Sequence, residues 1–426
     1  MDDNEKFPHA ASNCLFPKIF QSFRTAVYFK SILIAFMAVT VIALAGWLMD
    51  LSNTVVVDEN GQTELHKYLQ SPGQLELFME ADTEGLQHTG VFSSFWRFST
   101  KAFHGTVNSL VLLELEGVKA GVGDYVRATT WAVKYHPVYC IIFALVKLCI
   151  LALAGGAICR ISALQFSSGE KPGLIESLRF SVKRFFSLLF APLVPLTICS
   201  VAGAAVVVLG LLASIPRAGE LIMCLFLLPV LFVGAFVAIL LIGTFAGFNL
   251  MFPAVAYDGS NCCDAMSRSF SYVCSRPWRF VFYTVVAAVY GAICYVFVRF
   301  CVFLTLISTH WLVRLGHGVF VKEDGSDKLA RIWARPEFLN LSGSGAAAPL
   351  NWTESVAALL VYLVVLTVIG LLVSFVISFF FSANTIIYSL MRSSVDNTAH
   401  EEIYMPSEED QTQLDEPQGD QKSPQD

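Results

Sequence analysis

The charged residue that most needs a reason is Lys147. It stands about nine residues from either end of the apolar run Val138–Ile158, near the midplane of any bilayer that run would cross. A lysine there costs roughly 2.5–3.5 kcal/mol on insertion scales. Intramembrane charges characteristically face a bundle interior, where they pair or line a path. No Asp or Glu falls inside any of the six long apolar stretches to pair with it. Two readings follow: a functional intramembrane residue packed against protein, or a lysine that bonds helix carbonyls and snorkels along a tilted helix. The missing carboxylate also weighs against a proton-coupled carrier, which commonly holds a titratable acid within the membrane.

Arg24, Arg179, Lys183, Arg184, Arg268, Arg276 and Arg279 are candidates for contact with anionic lipid headgroups. They lie on or beside three amphipathic segments. The first shows Phe16, Ile19, Phe20, Phe23 and Val27 on one face, with Lys18, Arg24 and Lys30 interleaved. The second steps by four through Leu174, Leu178, Val182 and Phe186, backed by Arg179 and Lys183. The third carries Cys262, Met266, Phe270 and Val273 and ends at Pro277-Trp278-Arg279. Apolar residues at three–four spacing with basic residues opposite describe a helix lying in the plane of a membrane interface.

Catalytic constellations are not found. There is no GxxxxGKS/T loop, no HExxH, no GxSxG elbow and no GxGxxG after a strand, and Gly121-Val122-Gly123 lacks the third glycine. His310 and His317 share a helical phase with Arg314 between them, but two turns is too far for one metal without a third ligand. Interfacial snorkelling accounts for them. None of the eleven cysteines falls in 51–137 or 308–352 and none forms a CxxC pair. The set reads as small apolar residues, not as a disulfide framework. The sequons Asn340-Leu341-Ser342 and Asn351-Trp352-Thr353 matter only in a host that glycosylates. No catalytic residue, cofactor, metal or nucleic-acid partner is expected.

The elements that carry these residues belong to a membrane domain. The 426 residues are 55% hydrophobic and only 15% charged, with mean hydropathy +0.61, where a soluble chain carries about 25% charged residues. The net charge of −6 is local: from Arg392 to Asp426 ten acids face two bases, so the tail carries −8 and the remainder +2. A bilayer crossing needs about 20 apolar residues, because each adds about 1.5 Å to a helix and every backbone polar group must bond within it. Ser31–Met49, Val138–Ile158, Ser187–Ile215, Leu221–Phe245, Phe280–Ile307 and Val356–Phe381 qualify. Pro192 and Pro195 predict a kink in the third. The fifth is too long for a simple crossing and carries Arg299, so it tilts or runs on as helix toward His310 and His317.

The first stretch reads as an uncleaved signal anchor, with cleavage near Ala43-Leu44-Ala45 as the alternative. Lys and Arg concentrate in 159–186 and 257–279. That charge bias predicts those loops and both termini on the cytoplasmic side of a cell (inner) membrane, with 51–137, 214–220 and 308–355 outside. The boundaries drawn are 1–50 for the first amphipathic and transmembrane helices, 51–137 for an external helical segment, 138–307 for a transmembrane core, 308–355 for an external loop, 356–391 for the last transmembrane helix, and 392–426 for a disordered acidic tail. The external segment is too small and sparsely apolar to promise a core of its own, and its helices are expected against the outer membrane surface. The run Leu341–Leu350 reads as a flexible linker.

An amphipathic segment precedes each odd-numbered membrane stretch. Glu176-Ser177-Leu178 with Ser181 matches Asp264-Ala265-Met266 with Ser269 at an offset of 88, and RISALQFSSG, MFPAVAYDG and YSLMRSSVD correspond loosely after the even-numbered stretches. The expected fold is all-α and polytopic: six transmembrane helices in three hairpins, each preceded by a cytoplasmic amphipathic in-plane helix, the copies related by an axis along the membrane normal. The alternative is that membrane-proximal loops merely share a basic, amphipathic composition. The runs YDGSNCCDAMSRSFSYVCSRPWRF, SSGEKPGLIESLRFSVKRFF and YSLMRSSVDNTAHEEIYM resemble uncharacterised bacterial multipass inner-membrane families. They are more distantly similar to the membrane domains attached to some glycerophosphodiester phosphodiesterases. The resemblance covers roughly residues 135–310 and the end of the last helix, leaves out 51–137, and implies architecture without activity, since no phosphodiesterase domain is present. The function expected is non-enzymatic: binding the bilayer, anionic headgroups and protein partners, in an oligomer or alone, and organising the envelope. A transporter or permease subunit with a path near Lys147 is the alternative.

Overall fold

The computed structural model describes residues 16–52, 54–57, 63–70, 73, 87–112, 114–213, 215, 219–318, 328–343, 351–398 and 402–404. In chain order the helices are α1 (Gln21–Ala26), α2 (Phe29–Met49), α3 (Glu64–Gln70), α4 (Val91–Val111), α5 (Leu115–Tyr135), α6 (Pro137–Ser167), α7 (Leu174–Lys183), α8 (Phe185–Phe190), α9 (Leu193–Ala213), α10 (Gly219–Asp258), α11 (Cys262–Ser275), α12 (Pro277–Gly318), α13 (Lys328–Ile332) and α14 (Trp352–Asp396). Strands β1 (Val55–Val57) and β2 (Gln87–Thr89) pair antiparallel, Val56 opposite His88. Among the described residues, six helices (α2, α6, α9, α10, α12 and α14) are long and apolar enough to cross a membrane. The chain is an all-α polytopic membrane protein.

These six coincide with the apolar stretches, and all but α9 overrun them. Helix α10 continues past Phe245 to Asp258 and α14 past Phe381 to Asp396. An apolar window finds the lipid-length part of a helix and misses extensions that bury polar residues against protein. The third stretch breaks at Ala191–Pro192 into α8 and α9, because proline lacks the N–H that would continue the ladder. The fifth stretch runs on unbroken to Gly318.

The chain clusters into two compact units: residues 1–25, 156–286 and 381–426, and residues 26–155 and 287–380. In the first unit three helix ends are buried on every face: residues 154–164 of α6, 250–257 of α10 and 381–391 of α14. Consecutive burial requires neighbours all round, and small side chains let backbones approach. Ser162 Oγ lies 2.9 Å from Ser382 Oγ. Helices α7 and α11 also turn small residues inward, Ser177 and Ser181 on one, Ala265 and Ser269 on the other. A Cβ on Gly156 would come within 2.7 Å of Ser181 Oγ, and one on Gly247 within 3.5 Å of Ser269 Cβ. Ser177, Phe180 and Ser181 are buried while Ile175, Val182 and Phe186 are exposed, because close packing on glycine selects small hydroxyls over bulk.

In the second unit, residues between 55 and 132 form an apolar core. Val55, Leu65, Val91, Ala128, Trp131 and Ala132 form it, with Tyr135 and Tyr139 packed against them. Asp50, just beyond α2, caps α4: its carboxylate accepts from Phe92 N at 2.8 Å, Ser93 N at 2.7 Å and Ser93 Oγ at 2.6 Å. A carboxylate there satisfies orphan N–H groups and sits at the positive end of the helix dipole. Gly90 is required beside it, because a Cβ would lie 1.9 Å from the Asp50 carboxyl carbon. A second apolar cluster joins Leu306, Leu341, Val365 and Leu372. Leu341 is 2% exposed, so the expected linker begins no earlier than Ser342, and residues 344–350 lie outside the described residues.

Candidate functional site

In the first unit the three buried helix ends bring together a cluster of charges and phenols. Its centre is Asp258, the last residue of α10, whose side chain is 6% exposed. The Arg268 guanidinium, one turn into α11, donates to Asp258 Oδ2 at 3.0 Å, and the Tyr388 hydroxyl of α14 donates to the same oxygen. Arg392, one turn beyond Tyr388, sits 3.3 Å from Asp258 Oδ1. Helices α10, α11 and α14 thus meet on one carboxylate. Nearby, Tyr272 donates to Asp396 at 2.5 Å and Arg279 to Ser394 Oγ at 2.9 Å. The Tyr272 phenol is held above its ordinary range, first by burial and then by its bond to Asp396. Burial opposes the Arg268 charge, but Asp258 and the neighbouring tyrosines outweigh it and the net shift is upward.

Arg160 of α6 is 5% exposed; it donates to the Ala256 carbonyl at 3.1 Å and lies over the Phe180 ring at 4.8 Å. A strap after α14 completes the cluster. The Tyr404 backbone N donates to the Tyr257 carbonyl at 3.0 Å, its ring lies 5.5 Å from the Arg184 guanidinium, and Arg392 donates to the Glu402 carbonyl. Gly259 makes the docking possible twice over: its φ is +62°, and a Cβ would sit 2.6 Å from the Tyr404 ring. The expected disordered tail from 392 is corrected here. Helix α14 holds residues through Asp396, and Glu402–Tyr404 are docked, because the strap finds backbone and guanidinium partners that composition does not reveal. Residues 405–426 lie outside the described residues.

Chemically the cluster is a lock. Both Asp258 oxygens are engaged, Oδ2 by Arg268 and Tyr388 and Oδ1 facing Arg392, so three helices are tied to one buried carboxylate. Among the described residues no group of three His, Cys, Asp or Glu could hold a metal.

Of the sequence candidates, Arg184, Arg268 and Arg279 join this cluster. Arg24, Arg179, Lys183 and Arg276 are exposed on or beside α1, α7 and α11. Lys147 is exposed on α6, and its neighbours Ile141, Ile142 and Leu145 are exposed as well. Sequence reasoning missed Asp258, Tyr388, Arg392, Arg160 and Tyr404. The signal was present, since RISAL, VAYDG and YSLMR mark the same position after three membrane stretches. No protein-family model, no curated protein and no solved structure matches this chain.

Proposed function

We propose that the chain is a non-enzymatic membrane protein that works by binding: anionic headgroups along the basic helices at its cytoplasmic side, and protein partners of the envelope. The observation that carries this reading is how the cations divide. Arg160 and Arg392, which are buried or nearly so, have acceptors within the protein. Arg24, Arg179 and Arg276 are instead exposed where helices approach membrane spans, and Lys183 is exposed beside Arg179 on α7. Exposed apolar residues Ile175, Val182 and Phe186 share α7 and its continuation with two of these charges, the mixture an interfacial helix needs.

The reading includes a threefold repeat of in-plane helix and hairpin. Its support is that Ser22, Ser181 and Ser269 are each 0% exposed on the segments preceding α2, α9 and α12. Each such segment also meets the second helix of another hairpin: Ser181 approaches Gly156 of α6, Ser269 approaches Gly247 of α10, and Ser378 of α14 donates to the Ala26 carbonyl at 2.8 Å.

The test compares the purified chain in nanodiscs of zwitterionic phospholipid with and without phosphatidylglycerol. Each cation at headgroup level contributes about 1 kcal/mol, less as salt rises. The anionic discs should raise the melting temperature at low salt, and the gain should shrink when Arg24, Arg179, Lys183 and Arg276 are all replaced by Gln. Equal melting in both discs sinks the lipid-binding reading.

A further inference from the structure

Within the second unit, helix α5 is apolar on two faces. On its inner side Ala128, Trp131 and Ala132 belong to the apolar core. Gly117 and Gly121 lie close against α4, since a Cβ on either would meet Ser109 Oγ at 2.1 Å or Thr106 Oγ1 at 1.9 Å. Away from these contacts, Val122, Val126, Thr129 and Val133 follow one another by four, three and four residues, the spacing of a single helix face. All four are exposed, the valines by more than half. Single apolar residues on a surface need no explanation. This row is different because it leads into a membrane span.

Helical bonding passes through the junction of α5 and α6: His136 N donates to the Ala132 carbonyl at 2.9 Å, and Cys140 N to the His136 carbonyl at 3.0 Å. At His136 the backbone leaves helical values, φ −127° and ψ 54°, and Pro137 follows, so the chain bends there. Beyond the bend Val138, Ile141, Ile142 and Leu145 of α6 are exposed at three–four spacing, and on a membrane span that surface meets acyl chains. The hydroxyls of α5 behave as those of the spans do. Thr129 and Thr130 each donate to the carbonyl four residues back at 2.9 Å, as do Thr40 of α2 and Thr367 of α14. A threonine so bonded is satisfied within its helix and needs no water. Between Val122 and Leu145 the charged residues are Asp124, Arg127 and Lys134, none of which falls on the row. Arg127 and Lys134, seven residues apart, are exposed along one flank, and Asp124 lies 3.6 Å from Arg127. An apolar face flanked by basic residues describes a helix in the plane of a bilayer interface.

We propose that α5 lies in the bilayer interface at the Pro137 end of α6, with Val122, Val126, Thr129 and Val133 among acyl chains and Arg127 and Lys134 at headgroup level. On the proposed orientation this is the outer leaflet. The occupant of the face is therefore phospholipid, continuous with the lipid that meets the exposed row of α6. The contact is apolar and belongs to the leaflet opposite the basic helices, so it stands apart from the anionic-headgroup reading.

The test uses the full chain in vesicles of zwitterionic phosphatidylcholine, so its result does not depend on anionic lipid. A fluorescent amino acid is introduced by amber suppression at Val126, Val133, Ala120 or Ile141 in turn. Two quenchers are compared: phosphatidylcholine brominated on its acyl chains, and acrylamide in the water. Bromolipid should quench the probes at Val126 and Val133 about twofold more than the probe at Ala120, which is exposed off the row, and acrylamide should reverse that order. The probe at Ile141 of α6 should respond as those at Val126 and Val133 do. Acrylamide quenching at Val126 and Val133 equal to that at Ala120 puts the row in water and overturns the proposal. Quenching by neither reagent means that protein covers the row, a second copy of the chain included, and overturns it as well. A bromolipid response at Ile141 alone does the same. Val122 and Thr129, on the same row, take the probe if either first site lowers expression. Because all these side chains are exposed, the labelled chains should melt as wild type does.

Discussion

At the scale of single residues, two intramembrane cations of similar sequence context have opposite fates. Lys147 and Arg299 both interrupt apolar runs, yet Lys147 is exposed while Arg299 is 1% exposed and donates to Tyr295 Oη at 2.7 Å as well as to two loop carbonyls. The difference was not legible because the partners of Arg299 are backbone carbonyls some forty residues away, and carbonyls leave no trace in a sequence. Arg299→Met is expected to cost about 2–4 kcal/mol, since it leaves two carbonyls without donors, and to open residues 333–343 to protease in a limited-digestion time course. Arg299→Lys should recover little, because one ammonium cannot reproduce a planar fork aimed at several acceptors. Lys147→Leu should leave the melting temperature of the isolated chain level or higher. If Arg299→Met digests no faster than wild type, the anchor is not what holds the loop.

At the scale of elements, sequence periodicity located the helices better than it assigned their faces. Helices α7 and α11 fall where the three–four pattern put them. Periodicity reports which face is apolar, whereas burial in a membrane protein follows close packing, and on α7 that favoured Ser177 and Ser181 over Ile175 and Val182. The strap at Glu402–Tyr404 was invisible for a related reason. Its surroundings are acidic and polar, and what holds it is one backbone bond, one guanidinium and a glycine that leaves room for the ring. A chain shortened to end at Thr398 is expected to lose about 2 kcal/mol, from a backbone hydrogen bond and a cation–π contact. A chain ending at Pro406 should melt like the full length. Equal melting of both truncations would show that the strap contributes nothing.

At the scale of the whole molecule, composition and apolar run length sufficed for an all-α chain with six membrane-length helices, because hydrocarbon leaves the backbone no other way to bond. Orientation rests on loop charge, and it makes a statement about three thiols. On the proposed orientation Cys262, Cys263 and Cys274 are cytoplasmic, so a membrane-impermeant maleimide should spare them in intact cells and label them after permeabilisation. Cys263 and Cys274 are exposed, so steric shielding would not mimic protection. Cys263 shares a hydrogen bond with Cys262 that raises its pKa. A raised thiol pKa means less thiolate at neutral pH, so Cys263 should react more slowly than Cys274 near pH 7, with the gap closing as the medium is made alkaline. Labelling of intact cells at any of the three would reverse the topology.

The Asp258 lock also sets an order of events during synthesis. Arg160, Asp258 and Arg392 belong to helix ends that bury one another, but they are separated by almost 100 and then more than 130 positions along the chain. At about 5–20 residues per second, tens of seconds pass between the ribosome making Arg160 and making Arg392. For the later part of that interval, once Arg268 is made, Asp258 has Arg268 and neither of its α14 partners, and the surfaces destined for the interior of the first unit are open to lipid, water or a chaperone. Closure waits for the last helix, so a ribosome stalled before α14 would leave a nascent chain whose earlier membrane helices are inserted but not yet joined.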